Sequence, residues 1–173
     1  AQDYSKVVEI HPRHASAYNS RGVARQRVGD LEGALEDYSK AIELRPLFAE
    51  AHNNRANVYR ETGRTHEALD GYTRAIEIEP RFEYAYYNRG VLRKATGDRS
   101  GALGDFEAAI RHHPAFAEAY FEAGVLREEA GDHAGAVRDL TSALDINSRL
   151  PRAHHNRAVS RREMGDFQGA LGP

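Results

Sequence analysis

Prolines stand at Pro12, Pro46, Pro80 and Pro114, each 34 residues from the next, and Ser148 takes the following position of the series. Glycines keep the same interval at Gly29, Gly63, Gly97, Gly131 and Gly165, as do alanines at Ala34, Ala68, Ala102, Ala136 and Ala170. A column of large residues runs Tyr4, Tyr38, Tyr72, Phe106, Leu140, and a column of small ones runs Val7, Ala41, Ala75, Ala109, Ala143. Columns that share one register call for stacked, similar units rather than one globular core. Each unit then buries its apolar face against its neighbours.

Within a unit the apolar spacing is helical. Leu35, Tyr38 and Ile42, or Leu69, Tyr72 and Ile76, follow one another by three and four, and no segment alternates at period two. The periodic glycine falls where a first helix must end and can take positive φ there. An aspartate follows it at Asp30, Asp98, Asp132 and Asp166, placed to accept from the free N–H groups that open a second helix. The second unit has Arg64 and Thr65 instead. The proline separates that second helix from the next unit's first.

Composition narrows the function classes. Cysteine is absent, which excludes disulfides, a thiolate nucleophile and sulfur-ligated zinc. No apolar run approaches the roughly 20 residues of a membrane span. A net charge of -2 supplies no general basic field, so nucleic acid is not an expected partner. The histidines (His11, His14, His52, His66, His112, His113, His133, His154, His155) never recur at i,i+4, and no metal site is expected from them. Glu128 and Glu129 are neighbours on different faces of a helix, not a converging acid and base. Gly97, Gly101 and Gly104 lack the strand and the Gly-Lys-Ser/Thr of a phosphate loop and read as softening the third unit. Neither catalysis nor a cofactor is expected. The chain opens on Ala1 without the basic and apolar stretches of a signal peptide, and the compartment stays open.

With 15–48 counted as one unit, the pattern resembles the tetratricopeptide repeat. It has small residues at the eighth place (Gly22, Ala56, Gly90, Gly124, Ala158), alanine at the twentieth, an aromatic at the twenty-fourth and proline at the thirty-second. The resemblance covers a partial unit at 1–14, full units at 15–48, 49–82, 83–116 and 117–150, and a truncated unit at 151–173. It implies an all-α, right-handed solenoid of stacked antiparallel helix pairs. Departures occur at the eleventh place, tyrosine in the family, which holds Tyr59 once but otherwise Arg25, Arg93, Arg127 and Arg161. The seventh place, leucine in the family, holds Arg21, Arg55, Arg89, Ala123 and Arg157. The Asn-Arg-small triplets at 54–56, 88–90 and 156–158 also resemble chaperone-associated members. Their arginine stems can cover apolar surface while the heads pair with Asp37, Asp105 or Asp139, within a unit or across to the next. The chain begins inside a second helix and stops soon after Phe167, Ala170 and Leu171. It therefore reads as a piece of a longer solenoid, or as one whose uncovered ends stack on other copies.

The resemblance further implies a concave wall built from the first helices, at places two, five, six, nine, twelve and thirteen. There Asn54, Asn57, Asn88 and Asn156 offer amides suited to the backbone of an extended peptide, unless they bond neighbouring helices instead. Tyr84, Tyr87 and Phe121 offer an aromatic anchor, unless they pack between repeats. Glu118 and Glu122 lie in the most acidic unit and favour a partner segment carrying Arg or Lys beside an apolar residue. A clamp for a chaperone's C-terminal carboxylate is not expected: Asn57 and Asn88 are present, but no unit has lysine at its fifth place. Three roles fit these residues. The leading one is a non-catalytic scaffold or adaptor that binds a protein or peptide. The others are a structural subunit of a large cytoskeletal or ciliary assembly, and a non-catalytic arm of a multidomain enzyme.

Overall fold

The computed structural model describes residues 2–166; the expected second helix around Phe167, Ala170 and Leu171 lies outside them. The helices run α1 (Gln2–Ile10), α2 (Ala15–Arg27), α3 (Leu31–Leu44), α4 (Ala49–Glu61), α5 (Thr65–Ile78), α6 (Glu83–Ala95), α7 (Arg99–His112), α8 (Ala117–Glu129), α9 (His133–Ile146) and α10 (Pro151–Glu163). No strand occurs among the described residues. The chain divides into two compact units, Ala1–Leu92 and Arg93–Pro173. In the first, α2 packs on α3 and α4 on α5 as helical hairpins, and α3 packs on α4 between repeats. In the second, α8 pairs with α9, flanked by α7 and α10.

Each turn inside a hairpin is made the same way. Gly29 has φ of 83° and Gly131 of 80°, a region closed to most side chains. The Gly29 N–H donates to the Gln26 carbonyl and the Asp30 N–H to the Arg25 carbonyl, so the last carbonyls of α2 are satisfied in a Schellman arrangement. The same two bonds recur at Gly63/Arg64, Gly97/Asp98, Gly131/Asp132 and Gly165/Asp166. The aspartate then serves the next helix. Asp30, Asp98 and Asp132 accept from the N–H of Gly33, Gly101 and Gly135 at 3.0, 2.9 and 2.9 Å. Glycine there has a reason that composition alone does not show. A Cβ on Gly101 would stand 2.2 Å from the Asp98 carboxylate, so this glycine makes room for the cap. In the second repeat, Arg64 makes no cap bond; it pairs instead with Glu67, which stands where the others have glycine, at 2.8 Å.

The periodic columns are the core. Tyr38, Tyr72, Phe106 and Leu140 have no exposed surface, nor do Ala34, Ala68, Ala102 and Ala136, nor Ala41, Ala75, Ala109 and Ala143. Burying each large member contributes on the order of 1.5–3 kcal/mol. The approach of the paired helices is limited by the eighth place: a Cβ on Gly22 would stand 2.7 Å from the Tyr38 ring. A further column, Phe48, Phe82, Phe116 and Leu150, was not singled out by period alone. Phe48 and Phe116 begin their helices with no side-chain cap bond and are 7% exposed, so burial of the ring fixes the entry of the chain. His14, at the corresponding place, caps α2 through Nδ1 to the Ala17 N–H at 3.1 Å.

The arginines of the eleventh place take over the aspartates. Arg93 holds Asp105 at 2.9 Å, Arg127 pairs with Asp139, and Arg25 lies 3.2 Å from Asp37, all within one repeat. Arg21 of the seventh place also pairs with Asp37, through two bonds of 2.8 and 2.6 Å. Arg55, expected to seek an aspartate, instead donates to Ser39 Oγ of the preceding repeat at 3.3 Å, and Arg89 donates likewise to Thr73 Oγ1 at 3.0 Å although its own repeat has Asp105.

At the fourth place a side chain ties α4, α6 and α10 to a carbonyl near the close of the previous repeat. His52 Nε2 donates to Pro46 at 3.0 Å, and Tyr86 Oη donates to Pro80 at 3.4 Å. Burial lowers the His52 pKa below its ordinary value near 6.5, so the ring is neutral at neutral pH.

Two predictions follow from this packing. Gly104 sits exposed in α7 with nothing within 4 Å of a Cβ, so Gly104→Ala raises stability by about 1 kcal/mol in urea denaturation; Gly22→Ala, facing the Tyr38 ring, lowers it by a similar amount. Equal shifts of the two urea midpoints would refute the contact. For His52 the folded pKa lies below the unfolded one, so its stability contribution is intact above about 6.5 and is lost as pH falls toward the folded value. His52→Tyr, which keeps a carbonyl donor, therefore narrows the loss of stability between neutral and mildly acid pH; an unchanged loss would contradict it.

Candidate peptide-binding surface on the leading helices

In the first unit, α4 carries Asn54 and Asn57, and α6 carries Tyr84, Tyr87 and Asn88. The asparagines are joined in series. Asn88 Nδ2 donates to Asn53 Oδ1 at 3.0 Å, Asn53 Nδ2 to Asn54 Oδ1 at 3.4 Å, and Asn54 Nδ2 to Asn19 Oδ1 at 3.1 Å. The ladder thus links three successive leading helices, and Asn53, 5% exposed, is its buried centre. Asn57 Oδ1 accepts from Tyr72 Oη at 2.7 Å, and burial pushes the Tyr72 phenol up to about 12. Tyr38 likewise donates to Gln26 Oε1 at 2.9 Å, and Gln26 donates on to Glu61 at 2.6 Å. Asn53 and Asn54 thus each commit one amide proton and one oxygen lone pair, Asn88 commits an amide proton, and Asn57 an oxygen lone pair. Tyr84 is 50% exposed with its ring edge-on to Phe82 at 6.4 Å, and Tyr87 is half-buried.

In the second unit, α8 carries Glu118, Phe121 and Glu122, and α10 carries Asn156. Phe121 is half-buried against the cluster of Leu140, Leu144, Ala153 and Leu150, with the Arg152 guanidinium 5.5 Å above its ring. With Leu150, Pro151 and Arg152 it borders a small apolar cleft of about 120 Å³. Glu122 is held by Lys94 at 2.7 Å, and Glu129 by Arg99 at 3.1 Å. Much of the expected acidic field is thereby neutralised, while Glu118 stands exposed without an ion pair among the described residues. Burial pushes the Glu128 carboxyl up, and its Oε2 has no hydrogen-bond partner among the described residues.

Asn156 differs from its counterparts. In the first unit, the sixth-place amide donates to the fifth-place side chain 35 residues earlier, Asn54 to Asn19 and Asn88 to Asn53. The residue 35 before Asn156 is Phe121, which has no acceptor, and the Asn156 amide makes no hydrogen bond among the described residues. Sequence reasoning found all of these sixth-place asparagines but could not tell the engaged ones from the unengaged one. The signal was the identity of the preceding fifth-place residue. Among the described residues, no group of three or more His, Asp and Glu side chains could hold a metal ion, and no helix is long and apolar enough to cross a membrane.

Residues 27–63 and 56–97 match the family described as TPR repeat, and residues 87–151 match the family described as Tetratricopeptide repeat. No curated protein matches the chain. Among solved structures, the MamA protein aligns with a TM-score of 0.79 at 20% identity, over 91% of this chain and 86% of its own. YrrB, described as a TPR protein with an unusual peptide-binding site, aligns with a TM-score of 0.79 at 23% identity, over 97% of this chain and 87% of its own. PilF of Pseudomonas aeruginosa aligns with a TM-score of 0.81 at 20% identity, over 91% of this chain and 72% of its own. At such identities the likeness is one of fold, an all-α helical solenoid. Together with the family matches, the glycine turns, alanine core and paired helices make this chain a member of the tetratricopeptide-repeat family.

Proposed function

We infer that the chain is a non-catalytic protein-interaction scaffold that receives a partner segment on its leading helices, with the second unit supplying the main anchor. The observation that carries this reading is the unengaged Asn156 amide beside an apolar cleft. On α10, Asn156 lies one turn beyond Arg152, which borders the cleft with Phe121. On α8, Glu118 lies one turn before Phe121 and is exposed. An apolar side chain fits the cleft, a backbone amide of the guest fits Asn156, and a guest Arg or Lys fits Glu118. A cleft of about 120 Å³ takes one aliphatic side chain rather than a small-molecule ligand. Within the first unit, the amide chain and the exposed Tyr84 provide a separate surface of their own for a partner segment.

Selection from a displayed library of random peptides tests the reading. Enriched sequences are expected to place an apolar residue next to Arg or Lys. Asn156→Ala should weaken the selected peptide roughly fivefold, the effect of about 1 kcal/mol for one hydrogen bond. Glu118→Lys should chiefly slow association. Failure to select any peptide at micromolar concentration, or unchanged binding in both variants, would contradict the proposal.

A further inference from the structure

The entry to α2 is built differently from the entries to the later leading helices. Phe48, Phe82 and Phe116 stand before α4, α6 and α8, and Leu150 before α10, each packed inward as a buried or partly buried apolar side chain. His14 holds that place before α2 and is exposed, its ring turned to the Ala17 N–H. Beside it opens a cleft of about 370 Å³, lined by Arg13, His14, Ala15, Ser16, Leu44 and Arg45. The charge differs as well. α4, α6 and α8 carry Glu50, Glu83 and Glu118 in their first turns, whereas α2 carries no acid there. No acid lines the cleft: Glu43 pairs with Lys40 at 2.7 Å, and neither Glu43 nor Glu50 borders it.

The polar groups of this cleft are donors. The Arg45 guanidinium stacks on the Phe48 ring at 3.9 Å and donates to Ser16 Oγ at 2.6 Å, which fixes its plane and leaves its other N–H groups uncommitted. Arg13, from the loop between α1 and α2, lines the same cleft, and neither arginine makes an ion pair among the described residues. Ser16 accepts from Arg45, so its own hydroxyl proton is left to donate. His14 Nδ1 accepts the Ala17 N–H at 3.1 Å, so the proton of the neutral ring lies on Nε2. Two guanidiniums that share one cleft repel each other, and an anion between them turns that repulsion into attraction. A group with several acceptor oxygens and a double negative charge meets such a donor set best.

We propose that this cleft is a phosphate-binding site, in which Arg13 and Arg45 hold a phosphate group carried on a phosphorylated Ser or Thr of a partner polypeptide or free as inorganic phosphate. Ser16 and His14 complete the donor set. Arg45, held between the Phe48 ring and Ser16, is the preorganised member, and Arg13 closes on the anion from the opposite loop. The site lies where the loop before α2 meets the end of α3, within the first unit, and shares no residue with the Phe121 cleft.

The test is a titration of the whole chain at constant ionic strength, followed by NMR of the arginine Nε–H and backbone amide signals. Three probes serve: N-acetyl-phosphoserine N-methylamide for the polypeptide source, inorganic phosphate for the free source, and N-acetyl-serine N-methylamide as the uncharged control. A saturable shift at Arg13, Ser16 and Arg45 is expected with at least one phosphate probe and not with the control, and the tighter probe identifies the source. Arg13→Gln and Arg45→Gln should each weaken binding roughly tenfold, the effect of losing one charge-assisted contact. His14→Phe installs the side chain that stands before α4, α6 and α8, fills the cleft and should abolish the response while the chain stays folded. Arg13 is exposed, so Arg13→Gln decides the matter alone if the other variants do not fold. No saturable shift with either phosphate probe at millimolar concentration, an equal response to the control, or undiminished binding in Arg13→Gln would overturn the proposal. A shift of equal size at Arg138, exposed on α9, would mark general screening of arginines and would overturn it too.

Discussion

The close approach of the two helices in each hairpin, where a glycine or alanine at the eighth place meets a large side chain at the twenty-fourth, governs what the other positions can hold. Gly22 lies against the Tyr38 ring and Gly124 against Leu140, closer than a side chain would allow without movement. With the helix backbones that close, the alanines of the twentieth and twenty-seventh places are fully enclosed. Longer side chains are driven to the seams, where arginine and aspartate meet. When Ala56 takes the eighth place, the aspartate must give way to Gly71, and the electrostatics of the second repeat change with it. A steric constraint of one methyl group thus propagates into charge.

Period analysis reads places, and the places were legible. The positive-φ glycines, the capping aspartates and the buried columns all follow from the 34-residue register. Interactions that join unlike places were not legible, because their sequence separations differ from the period. The asparagine bonds span 35 residues and Lys94 reaches Glu122 across 28. The arginines of the seventh place show the difficulty most clearly. Arg21 reaches forward 16 residues to Asp37, whereas Arg55 reaches back 16 to Ser39. The same interval serves a bond within a repeat and a bond between repeats, and only the packed helices tell them apart. Gly101 was misread for a related reason: its use is steric, beside the Asp98 cap, rather than a softening of the helix.

Side chains on the leading helices form a polar relay in the first unit, and that relay has no continuation at Asn156. Each amide in the relay is held by its neighbour, which fixes its direction and lowers the entropy lost when a further bond forms. At Asn156 the fifth-place partner is apolar, so the free amide and the Phe121 cleft arise from the same substitution. A surface that combines an unsatisfied polar group with an apolar recess is suited to a guest polypeptide, whose backbone and side chains alternate in the same manner. Family membership alone would leave the location of such a surface undetermined.

The side-chain amide signals of Asn54, Asn88 and Asn156, compared in one hydrogen-exchange NMR experiment on the unliganded chain, test this account most directly. Slowed exchange is expected for the Nδ2 protons of Asn54 and Asn88, which are bonded to preceding helices, and rapid, solvent-like exchange for those of Asn156. Equal protection at all three would show that the relay continues to α10, and the central claim that the second unit presents an open recognition site would be wrong.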